Sequence, residues 1–249
     1  MDGPGAGPYS HAAMIPEQAV ALAVGDGVTL EARLGLPPSP RAGVVICHPH
    51  PLYGGDMDNP VVVRAAEVCG AAGLATLRFN FRGVGGSTGS HGGGPAEEGD
   101  VEAAMARMTQ HAERVALAGY SFGAAVAGAV AARRPEVAGL ALVAPPIAGA
   151  AGGPALAEGG ALRTLSRAGA PVLVVAGDAD EYCPRADLER LRAAVPGVEV
   201  RIIEGADHFF LGRLFPLGEA LGAWARRLAG SGPASRAGAG PAWRCPPTG

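Results

Sequence analysis

Val115-Ala116-Leu117-Ala118-Gly119-Tyr120-Ser121-Phe122-Gly123-Ala124-Ala125-Val126 passes from an apolar run into an alanine-rich one, with a serine between two glycines near the join. The first run reads as a buried strand over Arg114 to Ala118 and the second as a helix over Ala124 to Arg134. Ser121 therefore falls on the turn between them. A turn that tight strains the backbone at the serine and lifts its hydroxyl above the sheet, while glycines on either side let strand and helix approach closely. This is the geometry of a nucleophile elbow. The pattern alone carries little weight: with 40 glycines and 8 serines in 249 residues, G-x-S-x-G arises by chance in about one such chain in five. The surrounding sequence has to decide it.

Apolar runs of valine, leucine and isoleucine recur on both sides. Val44 to Cys47, Leu74 to Phe79, Leu140 to Ala144, Val172 to Ala176 and Val198 to Ile203 read as further strands. Val61 to Ala72, Glu97 to Gln110, Ala155 to Arg167, Arg185 to Ala194 and Leu217 to Ala229 read as helices between and after them. Near-continuous apolar strands separated by helical crossovers predict an α/β fold: a mostly parallel central sheet with helices on both faces. Ahead of it, Gln18 to Val24 and Val28 to Leu34, joined through Gly25-Asp26-Gly27, predict an antiparallel hairpin. The domain is expected over 17–230, between a flexible tail at 1–16 and a disordered Gly/Pro/Ala/Ser-rich tail at 231–249. Some 25 residues separate Pro146 from the strand at Val172, too few for a large helical cap. An open site is the expectation.

Composition excludes several classes. The hydrophobic content of 48% with 17% charged residues suits one globular domain. Net charge is −3 and every basic residue is an arginine, scattered singly or in pairs such as Arg133-Arg134 and Arg226-Arg227. No basic stripe forms that could follow phosphates, so a nucleic-acid partner is not expected. Met1 to Ser10 has no positive residue and no apolar core of a signal peptide, which points to the cytoplasm. Two uncharged stretches, Val115 to Ala132 and Val137 to Ala157, approach membrane-spanning length. One contains the elbow and the other carries Pro145, Pro146 and Pro154, so both read as strand followed by helix or loop, and no membrane partner is expected. Cys47, Cys69, Cys183 and Cys245 lack C-x-x-C spacing and read as free thiols, with Cys47 packed in a strand. The glycine-rich loop from Gly83 to Gly94 has neither dinucleotide nor P-loop spacing.

A serine hydroxyl needs a base to take its proton, and the base needs an acid to hold its tautomer and steady its charge. In a parallel sheet both belong just past the carboxyl ends of later strands. Gly177-Asp178-Ala179-Asp180-Glu181-Tyr182-Cys183-Pro184 follows the strand at Val172 with three acids that compete for the role, and Asp180 is preferred over Asp178 and Glu181 because its G-x-x-D-x-x-x-P turn resembles the acid turn of known serine hydrolases. The plain alternative for this stretch is a helix cap or a solvated acidic turn, which suits Asp178 or Glu181. Gly205-Ala206-Asp207-His208-Phe209-Phe210 follows the last strand and offers His208 as the base. His11 lies in the amino-terminal tail, His91 in the glycine-rich loop, and His111 ahead of the elbow strand. A developing oxyanion needs two donors. One is the backbone N–H of Phe122, at a helix start. The other comes from the loop His48-Pro49-His50-Pro51-Leu52-Tyr53-Gly54-Gly55, where the prolines have no N–H and His50, preferred over Leu52, supplies it. A rival reading makes His48, His50, Asp56 and Asp58 metal ligands, but the spacing matches no recognised site and the prolines and glycines suit an oxyanion loop.

Taken together, the Gly119 to Gly123 elbow and Ser121, Asp180 and His208 in that chain order resemble the α/β-hydrolase superfamily across about residues 18 to 229. Within it, His48-Pro49-His50-Pro51 with Gly54-Gly55, Asp58-Asn59-Pro60-Val61-Val62, Leu77-Arg78-Phe79-Asn80-Phe81-Arg82-Gly83-Val84-Gly85 and the Gly205 to Phe210 stretch are similar to a group of small bacterial predicted α/β hydrolases. Cys183 stands where those relatives tend to carry valine, and Asn80 to Gly83 reads as a loop-shaping segment. The resemblance implies the fold and a serine-hydrolase mechanism without a cofactor, and it leaves the substrate open. A small carboxylic ester or thioester is the leading expectation, with Tyr53, Met57, Tyr120, Pro145, Ile147 and Phe209 as walls of the pocket. A peptidase or amidase on the same triad and a non-catalytic binding protein are the alternatives. Nothing in the sequence sets an oligomeric state.

Overall fold

Two strands lead into the sheet as a hairpin. In the computed structural model, which describes residues 15–147 and 160–231, β1 (Glu17–Ala23) pairs antiparallel with β2 (Thr29–Gly35), in register from Glu17 opposite Gly35 to Ala23 opposite Thr29. Val24 N–H donates to Val28 O, and Asp26 Oδ1 accepts Val28 N–H, so Gly25-Asp26-Gly27 forms the turn. Gly27 takes φ +86, a conformation that a side chain would strain. Beyond Ile15, Pro16 and Ser231, the expected tails lie outside the described residues.

The remaining strands are β3 (Gly43–Cys47), β4 (Ala75–Phe79), β5 (Val115–Tyr120), β6 (Leu140–Val143), β7 (Val172–Gly177) and β8 (Glu199–Ile203). Their order in one eight-stranded sheet is β1-β2-β4-β3-β5-β6-β7-β8, with β2 antiparallel to β4 and every later pairing parallel. The helices are α1 (Pro60–Ala71), α2 (Pro95–Met108), α3 (Phe122–Arg133), α4 (Gly160–Arg167), α5 (Arg185–Ala194) and α6 (Leu214–Gly230). The first part of the helix expected over Ala155 to Arg167 lies outside the described residues.

Alternation along each strand splits the core into two layers. Val45, Cys47 and Leu117 point to the layer completed by Val101 and Met108 of α2, Val126 and Val130 of α3, Leu162 of α4 and Leu188 of α5. Val44, Ile46, Ala116, Ala118 and Tyr120 point to the other, covered by Val61, Val62 and Cys69 of α1 and Leu221 and Trp224 of α6. Helices on both faces explain why β3 to β7 are buried throughout. No helix among the described residues is long and apolar enough to cross a membrane.

Two local differences from the sequence expectation bear on the site. Helix α3 begins at Phe122, two residues before the alanine run, because the chain turns within Ser121 itself and leaves no linker. A short 3-10 turn over Pro51–Tyr53, hidden in the sequence by its prolines, sits beyond β3, and His50 caps it by accepting Leu52 N–H on Nδ1 at 3.2 Å.

Candidate active site

Ser121 sits at the carboxyl end of β5 with φ +54 and ψ −118, a strained region for a residue with a side chain. The two glycines around it have separate steric reasons. A Cβ on Gly119 would lie 2.2 Å from Gly123 O, so strand and helix cross too closely for alanine. A Cβ on Gly123 would lie 2.4 Å from Cys47 O and 2.5 Å from His48 O, so the first turn of α3 rests on the backbone leaving β3. These contacts place the amino terminus of α3, with the N–H of Phe122 lacking an intrahelical acceptor, beside the serine hydroxyl.

His208 and Asp180 arrive from two later strands and meet the serine. His208 Nε2 lies 2.9 Å from Ser121 Oγ, and His208 Nδ1 lies 2.9 and 3.0 Å from the two oxygens of Asp180. Asp180 is 3% exposed, and its Oδ1 also accepts the N–H groups of Tyr182 at 2.9 Å and Cys183 at 3.1 Å. The neighbouring acids take other work: Asp178 Oδ1 accepts Gly205 N–H at 2.8 Å, and Glu181 is exposed. That bond, with Ala179 N–H to Ala206 O at 3.1 Å, fastens the loop after β7 to the loop after β8. Gly177 allows the contact, since a Cβ there would lie 2.0 Å from Ala206 O. From the elbow side, Tyr120 Oη donates to His208 O at 2.9 Å. Burial, with Asp180 and Asp207 nearby, raises the tyrosine's pKa and keeps it a donor.

The loop after β3 approaches from the other side. His48 is fully buried, with its Nδ1 2.6 Å from Pro49 O and its Nε2 accepting Phe81 N–H at 3.0 Å. Burial lowers its pKa to about 4, so the ring is neutral. Among the possible oxyanion donors, Leu52 N–H is taken by the His50 ring, whereas His50 N–H has no hydrogen-bond partner among the described residues. The His50 ring packs between Tyr53, His91 and Phe122, at centroid distances of 4.7, 5.0 and 4.9 Å. Its pKa is lowered by burial and by His91, against an opposing pull from Glu97. Both nitrogens of His48 are engaged, Asp58 pairs with Arg78, and Asp56 Oδ1 accepts Asp58 N–H. Each of the four residues of the metal reading makes a hydrogen bond or ion pair within the protein, and the described residues contain no group of three or more His, Cys, Asp or Glu side chains placed to share a metal ion.

Around Ser121 opens a cleft of about 500 Å³, lined by Pro49, His50 and Tyr53 to Gly55 of the loop after β3 and by Asn59, Tyr120, Phe122, Pro146, Tyr182, His208 and Phe209. Tyr53, Phe209 and Tyr182 form its rim, 87%, 63% and 55% exposed. Among the described residues that line it there is no arginine, aspartate or glutamate. Tyr53, Tyr120 and Phe209 line this cleft, although Tyr120 is mostly buried and tethers the His208 loop as well. Pro145 does not face the cleft. It is buried, and Pro146 takes its place after Ala144 turns the chain at φ +45. Met57 is core, 1% exposed, with its N–H bound to Asn80 Oδ1 at 2.8 Å, and Ile147 packs against the α3-side layer. Tyr182 escaped the sequence reading although it lies two residues from the acid. Its ring centroid is 4.8 Å from that of His208.

A family model described as an alpha/beta hydrolase domain matches residues 41–214. An uncharacterized protein of Rickettsia prowazekii is 33% identical over 191 residues, spanning 73% of this chain and 77% of that one. The solved structure of an alpha-beta serine hydrolase homologue from Coxiella burnetii has a TM-score of 0.71 at 34% identity, covering 83% of this chain and 96% of that chain. A serine hydrolase without a lid from Xanthomonas campestris gives 0.73 at 29% identity, covering 87% and 97%.

Proposed function

This chain belongs to the alpha/beta hydrolase family, and from that premise we propose that it is a serine hydrolase cleaving a small, uncharged carboxylic ester or thioester through an acyl-enzyme. The observation that carries the reading is the unbroken series Ser121 Oγ, His208 and Asp180, with each contact near 2.9 Å and the serine on a strained turn. In the first half-reaction Ser121 Oγ attacks the substrate carbonyl while His208 Nε2 takes its proton. Asp180 holds the proton on Nδ1 and offsets the imidazolium charge. The carbonyl oxygen, now an oxyanion, is held by the N–H groups of Phe122 and His50. Collapse expels the alcohol or thiol, which leaves with the proton from His208 Nε2. Water then attacks the acyl-Ser121 ester with the same histidine as base, releasing the acid and restoring the serine.

A cleft without charged lining side chains supports an uncharged substrate, because burying an ion there would find no partner. The aromatic rim supports a short or ring-bearing acyl or alcohol group. Fluorophosphonate labelling, mapped by mass spectrometry, tests the reading with a panel of nitrophenyl esters. Labelling confined to Ser121 is expected, together with ester turnover that Ser121→Ala abolishes. An unlabelled Ser121 in folded protein, or a Ser121→Ala variant as active as the parent, removes it.

A further inference from the structure

We propose that His48 is a positioning residue for this reaction: its imidazole sets the orientation of the Pro49–His50 peptide, whose N–H is the second oxyanion donor. The inference rests on the serine-hydrolase reading above. The ring is placed by the sheet, because Nε2 accepts the N–H of Phe81, two residues beyond the end of β4, at 3.0 Å. An accepting Nε2 puts the proton on Nδ1, and Nδ1–H donates to Pro49 O at 2.6 Å. The ring edge also packs on the Phe81 ring, centroid to centroid 4.7 Å, so it has no freedom to turn away.

The described chain has no cis peptide bond, so C=O and N–H of the Pro49–His50 unit point in opposite directions. Pro49 O is held toward the buried His48, while Pro49 and His50 line the cleft that contains Ser121 and Phe122. His50 N–H is thereby directed to the cleft side. Gly55 restrains the same carbonyl from its other flank, since a Cβ there would lie 2.2 Å from Pro49 O. The far end of the loop is held by the end of β4 and the residue after it: Arg78 donates to Met57 O at 2.9 Å, and Asn80 Oδ1 accepts Met57 N–H at 2.8 Å. A peptide clamped in this way needs no reorganisation when charge develops, which is the condition for stabilising a transition state more than the substrate.

Two substitutions separate this role from simple support of the fold. In His48→Asn the side-chain amide reaches the place of Nδ1, keeping the donation to Pro49 O and losing the acceptor for Phe81. In His48→Gln the amide reaches the place of Nε2, keeping Phe81 and losing Pro49. The measurements are kcat and KM for p-nitrophenyl acetate and the affinity of a trifluoromethyl ketone, whose serine adduct carries an oxyanion. His48→Gln is expected to lose roughly 100-fold in kcat with KM within about threefold, and to bind the ketone correspondingly more weakly. His48→Asn is expected to stay within about tenfold of the parent. Equal kcat in the two variants, a loss confined to KM, or parent-like turnover in His48→Gln overturns the proposal. If His48→Gln does not fold, Gly55→Ala decides, because it displaces the same carbonyl: a kcat-specific loss supports the role and unchanged kcat overturns it. A parent whose Ser121 resists fluorophosphonate removes the serine-hydrolase reading itself. A labelled, active parent beside an unaffected His48→Gln variant removes only the role of His48.

Discussion

Replacing Asp180 by asparagine keeps the shape of the acid and reverses one hydrogen bond. Oδ1 faces the N–H groups of Tyr182 and Cys183 at 2.9 and 3.1 Å, so the amide oxygen has to occupy that place. The NH₂ group then stands where Oδ2 was, 2.9 Å from His208 Nδ1, and donates to it. A ring that accepts on Nδ1 carries its proton on Nε2, 2.9 Å from Ser121 Oγ, and has no lone pair left to take the serine proton. Restoring the productive tautomer breaks that bond and sets two donors against each other in a buried site, at about 1–3 kcal/mol. Losing the carboxylate beside the developing imidazolium adds about 1.5–3 kcal/mol. Together these come to about 2.5–6 kcal/mol, a loss of roughly 10²- to 10⁴-fold at about 1.36 kcal/mol per tenfold. Steady-state hydrolysis of p-nitrophenyl acetate and the rate of fluorophosphonate labelling should fall in parallel. Because both backbone bonds survive, Tm should drop by only a few degrees. An Asp180→Asn enzyme retaining more than a tenth of the parental kcat would refute this tautomer argument.

Three further outcomes follow from contacts elsewhere in the site. Gly123→Ala puts a methyl against Cys47 O and His48 O, which are backbone and cannot swing aside, so urea unfolding should show a loss of about 1–3 kcal/mol and little surviving activity. Tyr120→Phe leaves His208 O without its 2.9 Å donor, and should cost about 1–2 kcal/mol in the same assay with a several-fold fall in kcat. His48 is held neutral at a pKa of about 4 against an ordinary 6.5, so below pH 6.5 the unfolded chain binds a proton that the folded one refuses. Stability from this group is complete above pH 6.5 and declines as pH falls toward 4, by roughly 3 kcal/mol in all. Urea midpoints compared at pH 7 and pH 4.5 should show that slope in the parent and a flatter one in His48→Gln.

The strands, and the loops that carry Ser121, Asp180 and His208, were legible because a doubly covered parallel sheet writes itself as solid apolar runs. Side chains directly after the carboxyl ends of those runs have few places to go. Asp180 and His208 follow β7 and β8 within a few residues. The pocket wall was harder to read. Pro145 and Pro146 are adjacent in a segment without strand periodicity, only Pro146 lines the cleft, and the positive φ of Ala144 just before them has no sequence marker. Met57 looked like a wall residue because its partner, Asn80, lies 23 positions away. The task of His48 is set in the same way by Phe81, 33 positions on. Tyr120 could have been placed more fully: it shares a strand face with Ala116 and Ala118, which turns its ring toward the α1 and α6 layer. Tyr182 carried no such signal.

Beside the side-chain ties of Asp178, Tyr120 and His48, the loops around Ser121 are fitted together by glycines packed on main chain: Gly119 on Gly123, Gly123 on Cys47 and His48, Gly177 on Ala206, Gly55 on Pro49. The rim is made differently, of side chains that stand mostly in solvent at Tyr53, Tyr182 and Phe209. Machinery and mouth are therefore separable inheritances. Exchanges at the rim cost the fold little, because exposed side chains contribute little to stability, whereas any new side chain at the glycine contacts meets main chain. On the proposed reading, a lineage, or an engineer, can alter the mouth of the cleft at three positions while leaving the contacts among Ser121, His208 and Asp180 untouched.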